Sequence, residues 1–263
     1  MKDKLSVVQN FIIGTTLAVG RAPEWAKINH IQSEQFGLPA SARVLGDCKW
    51  VVNYKTEAYL DTIKSLYESH IPDLSFHNVL DGPDFHFALH TLELLEEIDT
   101  PYVFFLTEDR MFHYTTKEEF SAMIDEISQL GVDWMPIGKL HKYIPQYRGY
   151  AKHSTVYTCK GFEAPHSGMV LDSIFKKEFL IDALQRVVNI PPDVNGKCNG
   201  YPWNVPHTLE KVPYWVKSEA PNCIIACPKR ELIISDQDPA WRKWWLANND
   251  RNAHDCIEPW RLS

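Results

Sequence analysis

The stretch "YVFFLTEDRMF" places two adjacent acids, Glu108 and Asp109, directly after a run of apolar and aromatic residues. Mg²⁺ and Mn²⁺ prefer oxygen ligands, and one or two protein carboxylates suffice when water and a diphosphate fill the other positions. A cation held there can neutralise the charge that develops on a departing phosphate. The pattern indicates a divalent-metal site. Asp109 is its first candidate ligand and Glu108 its second, because neighbours on an extended segment point opposite ways.

Two earlier segments end in polar residues as this one does. "KWVVNY" leads to Asn53, Tyr54 and Lys55, and "SFHNVL" leads to Asp81. If all three segments are strands of one parallel sheet, their carboxyl ends meet at one edge, where ligands bind in such sheets. Each acid taken singly is equally well explained as a helix cap or a solvated loop residue. Their coincidence favours a ligand site.

The elements that would position these residues alternate along the chain. Runs of β-branched and aromatic residues predict strands, and apolar residues at helical spacing between them predict helices. Thr115 with Glu118, or Thr116 with Glu119, forms a capping-box pattern before one of these helices. Such alternation predicts an α/β fold with a mostly parallel central sheet flanked by helices. The predicted strands are 49–54, 75–80, 102–107 and 132–137.

The alternation loosens after residue 138. "MVLDSIF" and "KKEFLIDALQRVV" predict a further strand and helix, and two apolar runs around Pro228 predict a hairpin. Trp241, Trp244 and Trp245 lie at i, i+3 and i+4, which predicts a C-terminal aromatic helix that packs on the domain. A sugar-stacking or membrane-surface role for this face comes second. No linker divides the chain, so residues 1–263 are expected to form a single domain.

Composition limits the classes of function that remain. At 263 residues, with 44% hydrophobic and 23% charged residues, the chain is one enzyme-sized globular unit. A formal charge of −7 and the lack of a basic block argue against a nucleic-acid partner. "FIIGTTLAV" is too short and polar to span a membrane, and its upstream flank is not strongly basic, so we expect a soluble, cytoplasmic protein. The six scattered cysteines are expected to be free thiols.

The order of these pieces resembles the nucleotide-binding half of GT-A-type glycosyltransferases. In that family a strand and helix lead to a second strand with an aspartate-glycine turn, and a later hydrophobic strand ends in the metal-binding motif Asp-x-Asp. The matching pieces here are "WVVNYKTEAYLDTIKSLYES", "HNVLDGP" and "IDTPYVFFLTEDRMF". Thr107 occupies the first acidic position, so the motif becomes Thr-Glu-Asp. The second strand carries the single Asp81 where the family often has two aspartates.

The resemblance implies a Rossmann-like GT-A fold. Its nucleotide-sugar-binding half would span about residues 45–138, and its acceptor-side half, with the aromatic helix, about residues 139–263. Asp81 would meet the base or ribose of the donor. The other donor-pocket residues that the resemblance implies are Asn53, Tyr54, Lys55 and Glu108.

The same resemblance implies a Mn²⁺ or Mg²⁺ ion held by Asp109 and Glu108, with His207 as a further candidate ligand from the distant loop. An inverting enzyme also needs a carboxylate base for the acceptor hydroxyl. Family members often carry that acid at the position of Glu210. A retaining enzyme would not need such a base, so the stereochemical course stays open. Asp172, Asp193 and Glu163 are competitors for the role of base.

The expected function is transfer of a sugar from a nucleotide-sugar donor to a glycan or lipid-linked acceptor, in surface polysaccharide or glycolipid biosynthesis. The sugar, the nucleotide, the acceptor and the oligomeric state stay open. A sugar-phosphate nucleotidyltransferase is the alternative enzyme, although such enzymes usually have a glycine-rich loop where this chain has "NYKTEAY". A metal-binding signalling module of receiver type is the non-enzymatic alternative, although such modules are shorter and place paired acids where this chain has "NYK".

Overall fold

The protein has a mixed α/β fold built on a nine-stranded sheet. The computed structural model describes residues 1–11, 37–54, 60–78, 87–106, 110–112, 115–138, 140–165, 172–189, 197–198, 201–202 and 220–235. The strands are β1 (Leu5–Phe11), β2 (Trp50–Tyr54), β3 (Leu74–His77), β4 (Tyr102–Phe105), β5 (Arg110–Phe112), β6 (Trp134–Pro136), β7 (Ala151–Lys152), β8 (Val156–Lys160), β9 (Ser173–Lys176), β10 (Lys197–Cys198), β11 (Tyr201–Pro202), β12 (Ile224–Pro228) and β13 (Ile233–Ser235). The helices are α1 (37–45), α2 (Leu60–His70), α3 (Phe87–Glu96), α4 (Lys117–Leu130), α5 (Leu140–Tyr147) and α6 (Lys177–Asn189), with a 3₁₀ turn at Gly161–Glu163.

The strand order in the large sheet is β3-β2-β1-β4-β9-β6-β12-β8-β7. Parallel pairs join β1 to β2 and to β4, β2 to β3, and β6 to β12. In this sheet β8 and β9 run opposite to the other strands, and β9 lies between β4 and β6. The four strands predicted at 49–54, 75–80, 102–107 and 132–137 correspond to β2, β3, β4 and β6. The expected α/β, GT-A-like fold with a central sheet flanked by helices is confirmed.

The strand β1 was not predicted, yet it lies in the middle of the sheet. Val7 and Val8 are completely buried, and β1 pairs with β2 on one side and β4 on the other. The strand at 49–54, taken as the first from the sequence, is therefore the second along the chain.

The local sequence of α4 determines where this helix begins and ends, and the helix packs against β4 of the sheet. At the start of α4 the Thr116 side chain accepts from the Glu119 amide, and the Glu119 side chain accepts from the Thr116 amide, as the second capping-box pattern predicts. Gly131 ends the helix with φ 64°, a left-handed conformation that favours glycine. Between these caps, Phe120 packs edge-on against Phe112, and its ring lies 6.3 Å from that of Phe104 on β4.

The strands β12 and β13 do not form the hairpin that their sequence predicts. β12 joins the large sheet between β6 and β8, whereas β13 pairs antiparallel with β5, the short strand that follows Asp109 in the chain. The intervening residues therefore connect the large sheet to this separate two-stranded ribbon. Within the described part of the chain, every helix is too short or too polar to cross a lipid bilayer.

Candidate functional site

Polar residues of three neighbouring strands lie side by side where β1, β2 and β3 end. Asn10 is in register with Asn53, and Asn53 is in register with His77. The side of the sheet at the carboxyl ends of β1 to β4 is called the carboxyl edge below. Asn53 is completely buried, and the Nε2 atom of His77 lies 2.6 Å from Oε1 of Glu97 at the end of α3. Of the polar residues expected to gather at this edge, Asn53 and Tyr54 are described, and Lys55, Asp81, Glu108 and Asp109 lie outside the described residues.

A buried carboxylate stands at the same edge, next to the end of β4. Phe105 is in register with Ser173 in the antiparallel pair of β4 and β9. The next residues outward are Leu106 on one strand and Asp172 on the other. Asp172 is only 3% exposed. Residues 107–109, the segment with the two adjacent acids, follow Leu106 in the chain.

Asp172 is fixed by the end of β6. Its carbonyl oxygen accepts hydrogen bonds from the amides of Ile137, at 2.7 Å, and Gly138, at 2.9 Å. A Cβ atom on Gly138 would lie 3.0 Å from both Cβ and Oδ2 of Asp172, so the carboxyl group packs directly on the glycine backbone. The indole of Trp134 donates to the Ser173 hydroxyl at 3.1 Å. Backbone and side-chain contacts together hold this acid in one place.

Of the other sequence-predicted residues, Tyr54 and Glu163 are described. Tyr54 is completely buried in the hydrophobic core, where its ring lies 6.3 Å from that of Phe76. Glu163 is exposed on the 3₁₀ turn, and its carboxylate accepts from the Lys160 amide at 3.0 Å. That turn follows the carboxyl end of β8, which runs opposite to β4. Glu163 and Asp172 therefore lie at opposite edges of the sheet, and the structure does not bring these two candidate bases together.

The remaining candidates lie outside the described residues, so their roles stay predictions. They are Lys55, Asp81, Glu108, Asp109, Asp193, His207 and Glu210. The tryptophans at 241, 244 and 245 lie outside the described residues as well.

A metal site at this edge would need residues outside the described part of the chain. Among the described side chains, no group of three or more His, Cys, Asp or Glu could hold a metal ion. The polar groups that β2 and β9 bring to the carboxyl edge, the Asn53 amide and the Asp172 carboxylate, nevertheless carry oxygen atoms. Mn²⁺ and Mg²⁺ select oxygen donors, so the chemistry of this edge fits either ion.

Sequence reasoning missed Gln9 and Asn10, the polar pair near the end of β1. Gln9 is buried, and its side-chain oxygen accepts a hydrogen bond from the Tyr67 hydroxyl on α2. Asn10 begins the polar row described above. The signal was present in the sequence, because "SVVQN" repeats the pattern of "WVVNY": two valines of a buried strand followed by an amide residue.

A groove of about 320 Å³ lies between α4, the turn at 153–155 and residues 228–232. Arg230 and Glu119 form an ion pair of 2.6 Å at its rim. The hydrogen bond from the Thr116 amide, followed by that from Arg230, holds the pKa of Glu119 below its usual range. The guanidinium of Arg230 and the carboxylate of Glu119 are thus paired with each other at this rim.

Behind this groove, Glu126 joins α4 to the turn. Its carboxylate accepts from the amides of Ser154 and Thr155, both at 2.7 Å, and from the Thr155 hydroxyl. Burial alone would raise the pKa of Glu126, but these hydrogen bonds outweigh it and lower that pKa.

No protein-family model and no curated protein matches the sequence. Among solved structures, the chain is similar to the mannosyltransferase PcManGT from Pyrobaculum calidifontis in complex with GDP-Man and Mn²⁺: 12% identity, TM-score 0.50, covering 93% of this chain and 60% of that one. It is also similar to S. aureus TarS 1-349 in complex with UDP-GlcNAc: 10% identity, TM-score 0.45, covering 88% of this chain and 57% of that one.

A nucleotidyl transferase from Methanothermobacter thermautotroptrophicus is similar as well, at 11% identity and TM-score 0.46, covering 94% of this chain and all of that one. By contrast, the chain spans less than two thirds of the length of the mannosyltransferase and of TarS 1-349. At these identities the similarity to the mannosyltransferase shows a shared fold.

Proposed function

We propose that the chain is a glycosyltransferase that moves a sugar, a hexose or a related one, from a nucleotide-sugar donor to a glycan or lipid-linked acceptor. The observation that carries the proposal is the buried carboxylate of Asp172 at the carboxyl edge, one residue before Ser173, which is in register with Phe105 of β4. Glu108 and Asp109 follow β4 in the chain, and we propose that their carboxylates converge with that of Asp172. The buried carboxylate at this edge, in a fold shared with a mannosyltransferase, supports transfer from an activated sugar.

The donor would be held at the carboxyl edge by the residues of the first half, about 45–138. In this proposal Lys55 lines the nucleotide pocket and Asp81 contacts the base or ribose. Asn53 and Tyr54, the other two proposed pocket residues, are completely buried, so they would support the pocket wall from within the core and keep it rigid.

Asp109 and Glu108 would hold a Mn²⁺ or Mg²⁺ ion, with His207 as a further ligand. Such an ion supplies positive charge next to the nucleoside diphosphate that leaves. The two carboxylates themselves would orient the donor phosphates through the ion. Asp172 lies in a different part of the chain, directly before β9, and in this proposal it has another task at the same edge.

That task, in an inverting reaction, is to accept the proton of the acceptor hydroxyl. Asp172 and Glu210 are the proposed candidates, and the acceptor would be bound by the second half, about 139–263. We further propose a cytoplasmic role in polysaccharide biosynthesis, with peripheral association at the membrane where a lipid-linked acceptor resides.

The proposal is tested first by ligand stabilisation. Melting curves are recorded with UDP, GDP and other nucleoside diphosphates, each with and without Mn²⁺. A ligand that binds only the folded state at a hundred times its Kd stabilises by about 2.7 kcal/mol. We expect one nucleotide to raise the melting temperature, and to do so more strongly with Mn²⁺. The corresponding nucleotide-sugar should then release nucleoside diphosphate in a hydrolysis or transfer assay.

The same assay distinguishes a glycosyltransferase from the alternative enzyme, a sugar-phosphate nucleotidyltransferase. A sugar-phosphate nucleotidyltransferase would release pyrophosphate from a nucleoside triphosphate and a sugar 1-phosphate, and would leave nucleotide-sugars unhydrolysed without pyrophosphate. The proposed function would be contradicted if none of the nucleoside diphosphates stabilised the protein and none of the nucleotide-sugars were turned over.

A further inference from the structure

The end of β6 meets Asp172 at a position where only glycine leaves room. A Cβ atom at residue 138 would lie 3.0 Å from Oδ2 and 3.4 Å from Cγ of Asp172. Contacts this short force one group to shift by a few tenths of an ångström. The Asp172 backbone has little freedom to shift, since its carbonyl accepts from both the Ile137 and the Gly138 amides.

The neighbouring contacts restrict the same backbone from the other side. Ser173 is completely buried, and its hydroxyl accepts from the Trp134 indole, whose ring stacks on Phe175 with an interplanar angle of 7°. The new methyl group would also lie 3.0 Å from the Asp172 Cβ atom, which side-chain rotation cannot move, so a small backbone shift at residue 138 or 172 accompanies any rotation of the carboxylate. The Asp172 carboxylate would rotate or move away from β6.

We propose that Gly138 is a positioning residue: the absence of its side chain sets where the Asp172 carboxylate stands at the carboxyl edge. This inference rests on the proposed function for its catalytic consequence, but its structural part does not. Gly138 itself takes no part in proton transfer. It acts through Asp172, which in turn needs hydrogen-bond reach of the acceptor hydroxyl to accept its proton.

The substitution Gly138→Ala tests the inference against a matched control. Gly149 is also non-helical, and a Cβ built on it meets nothing within 4 Å, so Gly149→Ala adds the same methyl group without a contact. We expect Gly138→Ala to lower kcat about tenfold, because even a sub-ångström misplacement of a reacting group is costly. The KM for the donor should change less than about twofold. Gly149→Ala should match the wild type in both quantities.

A double-mutant cycle with Asp172→Ala separates positioning from general damage. Asp172→Ala removes Cγ and Oδ2, and with them the carboxylate whose position is tested, but it keeps the Cβ atom, so any general damage from the Cβ contact remains in this background. In that background Gly138→Ala should change kcat less than about twofold. Equal losses in the two backgrounds, or wild-type kcat in Gly138→Ala alone, would overturn the inference.

The position of the carboxylate gives a readout that needs no turnover. In a crystal structure of Gly138→Ala, we expect the Asp172 carboxylate to be displaced while the Ile137 amide still donates to the Asp172 carbonyl. An unmoved carboxylate overturns the positioning claim even if the enzyme is active. A displaced carboxylate in a protein that turns over no nucleotide-sugar would support the positioning claim and count against the proposed function instead. If Asp172→Ala does not fold, this structure and the kcat of Gly138→Ala against Gly149→Ala decide the question.

Discussion

Tyr67, on α2, donates a hydrogen bond from its hydroxyl to the side-chain oxygen of Gln9, on the central strand β1, in a fully buried position. The Tyr67 ring also lies 6.2 Å from Trp50 and 5.9 Å from Phe76. The Tyr67 side chain thus links the helix α2 to the central strand β1, one residue before Asn10. This contact stabilises the core directly beneath the carboxyl edge.

Replacing Tyr67 with Phe keeps the ring and removes the donor. The buried Gln9 oxygen would lose that hydrogen bond, and we expect the free energy of unfolding to fall by about 1–3 kcal/mol. Urea denaturation measures the loss. Tyr150→Phe is the matched control: its hydroxyl donates to the Glu163 carbonyl at 2.7 Å in an exposed setting, where water can replace it. A loss in Tyr67→Phe no larger than in this control would show that the hydrogen bond adds nothing to stability.

Asp109→Asn should impair turnover and not folding, because we predict that Asp109 is a metal ligand outside the packed core. We expect kcat to fall about a hundredfold or more, the magnitude typical of a lost preorganised electrostatic contact. The melting temperature should stay at the wild-type value or rise slightly, since the charge repulsion with Glu108 is relieved. Donor hydrolysis in Mn²⁺ and a melting curve measure the two effects.

The control for Asp109 is Asp99→Asn, an exposed acid that precedes the same strand at its other end. It should leave kcat unchanged. An Asp109→Asn enzyme that turns over at the wild-type rate would remove this residue from the mechanism, and one that does not fold would make the acid structural.

Glu126 should make stability depend on pH in the acid range. The pKa of Glu126 in the folded protein lies below the ordinary glutamate value of 4.5. The unfolded chain therefore binds the proton more readily, so the stabilisation is complete above about pH 4.5 and is lost as the pH falls through the folded-state pKa. Glu126→Gln should destabilise by about 1 kcal/mol at pH 7, with the difference shrinking toward pH 3.

Denaturation curves of the wild type and Glu126→Gln between pH 7 and pH 3 measure this dependence. Glu118→Gln serves as the control, because Glu118 is an exposed acid of the same helix. A constant difference between wild type and Glu126→Gln across the range would contradict the assignment.

The buried thiols should be inert in the folded protein. Burial raises the pKa of Cys48, Cys223 and Cys227 to about 12 and that of Cys159 to about 11. Little thiolate is then present at pH 8, and the thiolate is the reactive form. Iodoacetamide at pH 8, followed by mass spectrometry, should leave Cys48, Cys159 and Cys227 unmodified in the native state and modify all four cysteines in urea. Cys223 is only half-buried and should be the first of the four to react in the native state. Rapid native modification of Cys48 would show that its site opens.

The sequence predicts those features well that depend on residues close together in the chain, such as helix caps and single strands. The capping box of Thr116 and Glu119 and the strand at Trp50–Tyr54 both follow from spacing within one turn or one strand. The strand at Ser173–Lys176 and the helix after it were predicted for the same reason. These signals need no knowledge of the partner element.

Pairing partners are a different matter, because they depend on residues far apart in the chain. Nothing local in "NCIIACPKRELIISD" states that Ile225 pairs with Trp134 while Ile233 pairs with Phe112, so the hairpin prediction was wrong. The contact between Gly138 and Asp172 is equally nonlocal. Sequence reasoning named Asp172 as one competing acid, but the neighbour that fixes it was recognisable only from the register of β4, β6 and β9.

The antiparallel strand β9, which lies between β4 and β6, bears on how the molecule can be divided. A fragment that stops at residue 138 would contain β4 and β6 but lack the strand that joins them, leaving two hydrophobic strands with unpaired edges, a known source of aggregation. Exchange of residues 139–263 between related chains would therefore have to preserve the fit of Ile174 and Phe175 against a foreign β4. Shuffling at the apparent midpoint of the chain is expected to fail for that reason.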